Sequence, residues 1–129
     1  MDLTGMQEYT RTRHAKQCCR VSLRRQGSEL SIIVTNEIAA AAGITIGSHV
    51  RLYFNANKVA IVPTTDGPIR VRKLRSGRNT FPHLLMPIGV GKPVDCCFDK
   101  EGPHACQHEV DDDGLLLVLP QEVHVTTNH

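Results

Sequence analysis

Thiol and imidazole groups crowd one stretch of this sequence: Cys96, Cys97, His104, Cys106 and His108. Zinc accepts both ligand types. His104-x-Cys106-x-His108 would share one face of an extended strand, because strand side chains alternate with a period of two. The spacing is not that of a common zinc module, since no C-x-x-C is present. Neighbouring Cys96 and Cys97 must also point to opposite faces. Cys97, His104, Cys106 and His108 are therefore the metal candidates, weighed against an ordinary packed or exposed role. The expectation is no metal and no other cofactor. Cys18 and Cys19 have no His partner at a fixed spacing, and their reactivity would require a depressed thiol pKa beside Lys16 and Arg20.

Catalytic signatures are missing. The sequence holds no G-x-S-x-G, no G-x-x-x-x-G-K-[ST] and no H-E-x-x-H. Asp111-Asp112-Asp113, next to Gly114, reads as a solvated turn ahead of a strand rather than a cation site. Gly89-Val90-Gly91-Lys92 has the look of a phosphate loop but opens no long helix. The chain is read as having no catalytic residue and as not being an enzyme.

Charge is the stronger signal. The net value of +2 hides two basic segments that contain no acid. Arg11, Arg13, Lys16, Arg20, Arg24 and Arg25 form one; Arg70, Arg72, Lys73, Arg75 and Arg78 form the other. Acids gather between Asp99 and Asp113. Such segregation suits a positive face offered to an anionic partner.

These groups must be positioned by a small scaffold. A chain of 129 residues supports one compact domain or two halves sharing a core. With three Phe, two Tyr and no Trp, that core must rest on aliphatic side chains. No run approaches the roughly 20 apolar residues of a membrane span. The start lacks the basic and apolar character of a secretory signal. The expectation is a cytoplasmic protein with reduced thiols and no membrane contact.

Residues 1–17 read as a polar, mobile, basic arm. The alternation in Arg20 to Arg24 predicts a half-buried strand, and Leu30 to Val34 a deeper one, joined by a turn at Gln26-Gly27-Ser28. Thr35 is placed to cap a helix over Asn36–Ala42 through its hydroxyl, and Gly43 to end it. A hairpin of His49 to Phe54 and Lys58 to Pro63 follows.

The second half replays the first. Gly47 to Asn55 aligns without a gap on Gly91 to Asp99, Ile44 and Ile46 on Ile88 and Val90, and Arg20 to Gly27 on Arg70 to Gly77. Val59 to Pro63 is matched to Leu116 to Pro120. Thr80 is expected to cap a shorter helix through Met86, stopped by Pro87. The register puts Cys96 inside with Leu52, and Cys97 outside with Tyr53. The units are drawn as 18–65 and 66–121, with an insertion at 100–113 and a C-terminal tail at 122–129.

The ordered set Gly27-x-x-Leu30-x-Ile32-x-Val34, Thr35-Asn36-Glu37-Ile38, Ala42-Gly43-Ile44-x-x-Gly47-x-x-Val50 and a closing hairpin resembles the AbrB/SpoVT-like (MazE-like) swapped-hairpin family. The direct match covers Val21 to Pro63, and a fainter copy runs from Ile69 to Pro120. The resemblance implies a mainly β fold: a swapped-hairpin β-barrel of two tandem strand-strand-helix-hairpin units with short helices. Where family members interlock two chains, one polypeptide here would supply the whole barrel, as a monomer or within a homo-oligomer. The resemblance also implies a DNA-binding transcription regulator whose basic first strands contact phosphates. Carried over by position, those contacts fall to Arg20, Arg24, Arg25, Arg70, Arg72, Arg75 and Arg78, with the two strands expected side by side. The alternative is a non-catalytic inhibitor or adaptor that captures a protein partner through the barrel and the 100–113 insertion.

Overall fold

The computed structural model describes residues 21–127, with residues 21–26 described through their backbone. The expected arm 1–17, Cys18, Cys19 and Arg20 lie outside the described residues. The described residues are mainly β, with antiparallel sheets and one short helix.

Strand β1 (Val21–Gln26) turns into β2 (Glu29–Val34) with Gln26 opposite Glu29. Gly27 supplies the positive φ of 61° that a two-residue hairpin turn needs at its first central position. Leu30, Ile32 and Val34 then alternate into the core, each fully buried. Helix α1 (Asn36–Ala42) follows, as the run of Ala between Thr35 and Gly43 predicts. Thr35 holds the N-cap position in extended backbone but makes no side-chain capping bond, contrary to expectation. At the other end Gly43 donates to Ala40 O at 3.2 Å and Ile44 to Ala39 O at 2.8 Å, a Schellman closure. The helix buries Ile38, Ala39 and Ala42.

β3 (His49–Phe54) and β4 (Lys58–Thr64) form the next hairpin. Asn55 Oδ1 fixes its turn by accepting from the N–H groups of Asn57 and Lys58. The second copy begins with β5 (Ile69–Arg70) and β6 (Arg72–Ser76), and β6 turns through Gly77 into β7 (Asn79–Pro87). Gly77 repeats the φ of 61° found at Gly27. β8 (Val94–Phe98), β9 (His104–Asp111), β10 (Gly114–Val118) and β11 (Val123–Thr127) complete the chain.

Three expectations about the second copy are corrected. Thr80 to Met86 is strand, not helix: its residues pair with β6 on one side and β2 on the other. Residues 35–43 separate β2 from Ile44 in the first copy, whereas only 85–87 separate Leu84 from Ile88 in the second. Three residues ending in Pro leave no room for a helix. The partner of β8 is β11, from Val94 opposite Thr127 to Phe98 opposite Val123, so the stretch drawn as a tail supplies the closing strand. The insertion is likewise no ornament. Its strand β9 pairs with β1 through His104–Cys106 and with β10 through Gln107–Asp111.

The larger sheet has nine strands in the order β5-β3-β4-β10-β9-β1-β2-β7-β6; β11 and β8 form a second sheet of two. Among the described residues no sheet closes into a barrel. The ends of the nine-strand order are nonetheless consecutive pieces of one segment, parted at Val71. That residue is 1% exposed, donates to Ser48 O and accepts from Gly47 N–H, both at 2.8 Å. The first copy thus grips the start of the second. One core holds residues of both copies, among them Ile32, Val34, Val50, Ile61, Leu84 and Leu117. Among the described residues no helix is long and apolar enough to cross a membrane.

Candidate nucleic-acid interface

The β5–β6 ribbon presents the described part of the expected cationic surface. Arg70, Arg72, Lys73, Arg75 and Arg78 are all exposed, whereas Val71 is buried and Leu74 half-buried. Alternation therefore does place Arg70 and Arg72 outward across Val71. None of the five makes an ion pair among the described residues; the ion pairs there are Arg51–Asp66, His104–Glu122 and His124–Asp99. No acid lies in sequence between Asp66 and Asp95.

β6 ends the nine-strand order, and among the described residues β7 is its one ladder neighbour. Its outer edge is lined by cations, which is how soluble proteins keep a free edge from pairing with another copy. Where β5 passes into β6, the turn Ile46-Gly47 and residues Arg70 to Lys73 enclose an open hollow of about 470 Å³. A larger hollow of about 680 Å³ lies at the repeat-equivalent turn, lined by Gly89 to Pro93 with Asp95 and Thr126. The first has three cations on its wall; the second mixes Lys92 with an acid.

Arg72 also reaches inward electrostatically. It stands opposite His83, whose Nε2 lies 2.6 Å from Ser31 Oγ in a buried contact between β7 and β2. Burial pushes the His83 pKa down, the Arg72 charge lowers it further, and Glu29 opposes them.

The structure does not bring the two basic strands together. β2 and β7 lie between β1 and β6, so the ribbons are three strand spacings apart, about 14 Å. They also run antiparallel, since three antiparallel pairings separate them. Arg24 and Arg25 stand in register with Ser31 and Leu30 on β2. Interlocking copies were expected to join the ribbons; the halves of the chain meet instead through the inner hairpin strands, β2 and β7.

The thiol and imidazole groups do not converge. Cys96 is fully buried and Cys97 exposed, as the repeat predicts. His104 is buried, with Nε2 donating to Lys100 O at 2.8 Å and Nδ1 facing Glu122 Oε1 at 3.3 Å. Both ring nitrogens are thus engaged, and the ring stacks on Phe98 with centroids 5.2 Å apart. Cys106 is half-buried, and burial together with the Glu122 charge pushes its thiol up to about 12. His108 is exposed. Among the described residues no three His, Cys, Asp or Glu side chains are grouped as a metal site requires. Asp111 accepts from the N–H groups of Asp113 and Gly114 and so shapes the β9–β10 turn.

Lys73, named in the basic segment but not among the carried-over phosphate contacts, belongs to the ribbon; the Ile46-Gly47 turn, which walls the hollow beside it, was not nominated from sequence. The signal for the turn is the repeat itself, because Val90-Gly91 walls the other hollow. Comparison with protein-family models, curated proteins and solved structures gave no match.

Proposed function

We propose that this chain is a non-catalytic DNA-binding protein, a regulator of the swapped-hairpin type, that holds phosphates on its β5–β6 ribbon. The observation that carries the reading is the row of five exposed cations, Arg70, Arg72, Lys73, Arg75 and Arg78, with no ion pair among the described residues. Cations of this kind bind a polyanion by releasing its condensed counterions, which gives affinity without sequence preference. Guanidinium groups suit the task because their planar fork can engage phosphate oxygens in pairs. The swapped-hairpin assignment is supported by the repeated glycine turns, by the grip of Gly47 and Ser48 on Val71, and by the continuity of β5 into β6 across the ends of the sheet order.

The test is a titration of fluorescently labelled duplex at about 50 mM and about 200 mM salt. The expected result is tight binding at low salt that weakens at high salt. Replacing Arg72 and Arg75 by Ala should lower the slope of log affinity against log salt by about 2, close to 1 per lost contact. Absence of binding at low salt, or affinity indifferent to salt, overturns the proposal.

A further inference from the structure

Away from the ribbon, the small β8–β11 sheet brings Cys97 beside an imidazole that the sequence leaves in its tail. Alternation turns Val94, Cys96 and Phe98 of β8 toward the core, with Val123 and Val125 of β11. The same alternation puts Asp95 and Cys97 on the outer face with His124 and Thr126. Asp99 follows on that face, because its N–H continues the pairing by donating to Glu122 O at 2.9 Å. The register sets Cys97 directly opposite His124 and Asp95 opposite Thr126. Side chains opposed in this way have Cβ atoms about 4.5–5.5 Å apart, so thiol and ring are neighbours. Both are exposed.

Asp99 fixes the state of the ring. His124 Nε2 lies 3.0 Å from each of the two Asp99 carboxylate oxygens. A carboxylate only accepts, so Nε2 carries the hydrogen and the neutral ring keeps its lone pair on Nδ1. Neither Nδ1 nor the Cys97 thiol makes a hydrogen bond among the described residues, so turning the thiol toward the ring breaks no contact. Such bonds are often open in the resting protein and close when a reagent arrives. A nucleophile, a proton acceptor beside it and a third group that orients the acceptor are the parts by which proteins activate a thiol. Room is available too. The next row on the same face, Asp95 and Thr126, walls the open hollow of about 680 Å³ beside Gly89 to Pro93.

We propose that Cys97 is a modification site that forms a mixed disulfide with a small-molecule disulfide, with His124 taking the thiol proton and Asp99 as the positioning residue for the ring. The S–H proton passes to His124 Nδ1, and the thiolate attacks one sulfur of the reagent. A new S–S bond forms as the reagent's own S–S bond breaks, and the expelled thiolate recovers the proton from the imidazolium. Cys97 is oxidised and the expelled half of the reagent is reduced, so no further reactant is needed. The Asp99 charge stabilises the imidazolium while it exists. The exchange is reversible by an added thiol, and it is independent of any binding to DNA.

The test follows mixed-disulfide formation at Cys97 of the full chain with hydroxyethyl disulfide, an uncharged probe, at about pH 7 by site-resolved mass spectrometry. Cys97 should react faster in the native chain than in the urea-unfolded chain, because exposure alone can at most equal the unfolded rate. His124→Asn should slow the native reaction by about tenfold. Asp99→Asn should slow it by about threefold or more, and Asp99→Glu should restore it. All three substitutions fall at exposed positions, so unfolding midpoints near the parent's separate loss of the proton acceptor from loss of fold. A native rate no higher than the unfolded rate overturns the proposal whatever the variants do. A His124→Asn chain as reactive as the parent also overturns it, and an Asp99→Asn chain as reactive as the parent removes the positioning role.

Discussion

Ser31 and His83 meet at 2.6 Å, Oγ to Nε2, across the β2–β7 pairing that joins the two copies. Both are buried, so each is the other's answer to the cost of taking a polar group out of water. Ser31→Ala leaves the imidazole without that partner and is expected to cost about 1–3 kcal/mol. Urea unfolding at neutral pH measures it. An unchanged midpoint would show that the contact does not contribute to the joint.

The same pair makes stability depend on pH. Burial of His83, reinforced by the Arg72 charge and opposed by Glu29, favours the neutral ring in the folded chain. The unfolded chain then takes up the proton more readily than the folded one. Stability from this group is full above the ordinary value of 6.5 and is lost as pH falls below it. His83→Asn should flatten the unfolding midpoint between about pH 8 and about pH 5.5. A slope equal to that of the parent chain refutes the assignment.

Glu122 works in the opposite part of the scale. Its own backbone N–H, and then the bond to His104, hold its carboxyl below the ordinary value of 4.5, and the charges of His104 and Lys100 add to this. Its contribution is present above that value and disappears as pH falls through the lowered one. Glu122→Gln keeps an acceptor for His104 but removes the charge. The variant should lose less stability than the parent on going from about pH 5 to about pH 3. Equal acid sensitivity counts against a role for the ion pair.

Thiol chemistry should separate the three described cysteines. Cys97 is exposed, Cys96 is fully buried, and the Cys106 thiol is pushed up to about 12. Since the thiolate is the reactive form, alkylation of the native chain at about pH 8 should mark Cys97 and spare Cys96 and Cys106. Peptide mapping after a short exposure gives the answer. Labelling of Cys106 at the rate of Cys97 would contradict its burial.

The outcome shows which features are local. The helix Asn36–Ala42 was readable because four Ala lie ahead of a Gly that can turn left-handed, although Thr35 at the N-cap position makes no side-chain capping bond. The inward Cys96 and outward Cys97 followed from the gapless match of Gly91 to Asp99 on Gly47 to Asn55. Thr80 to Met86 misled because Leu84-Leu85-Met86 is equally apolar as helix or strand, and the spacing before Ile88 was the better guide. Leu116 to Pro120 outweighed Val123 to Thr127 as closing strand because it is the more apolar run. The choice between them is made by the long-range partners β4 and β8. Edge position was also out of reach. Nothing in Arg20 to Arg25 or Arg70 to Arg78 says that β9 covers the first and that no strand of the described residues covers the outer edge of β6.

That asymmetry makes the insertion a structural element and gives a last prediction. β9 spans from β1 to β10, and β10 continues to β4, so the β9–β10 hairpin connects the first strand of copy one to its last. His104 locks the start of the hairpin through Lys100 O and the stack on Phe98. Excising Lys100 to Asp113 with a short Gly-Ser bridge removes β9 and leaves both β1 and β10 with an unpaired edge. Exposed edges of this kind recruit other chains. The shortened chain should lose its cooperative thermal transition or aggregate, as read by circular dichroism and size exclusion. Retention of a sharp, parent-like transition would mean that β1 and β10 can be satisfied without β9, and would restore the insertion to the role of a dispensable surface loop.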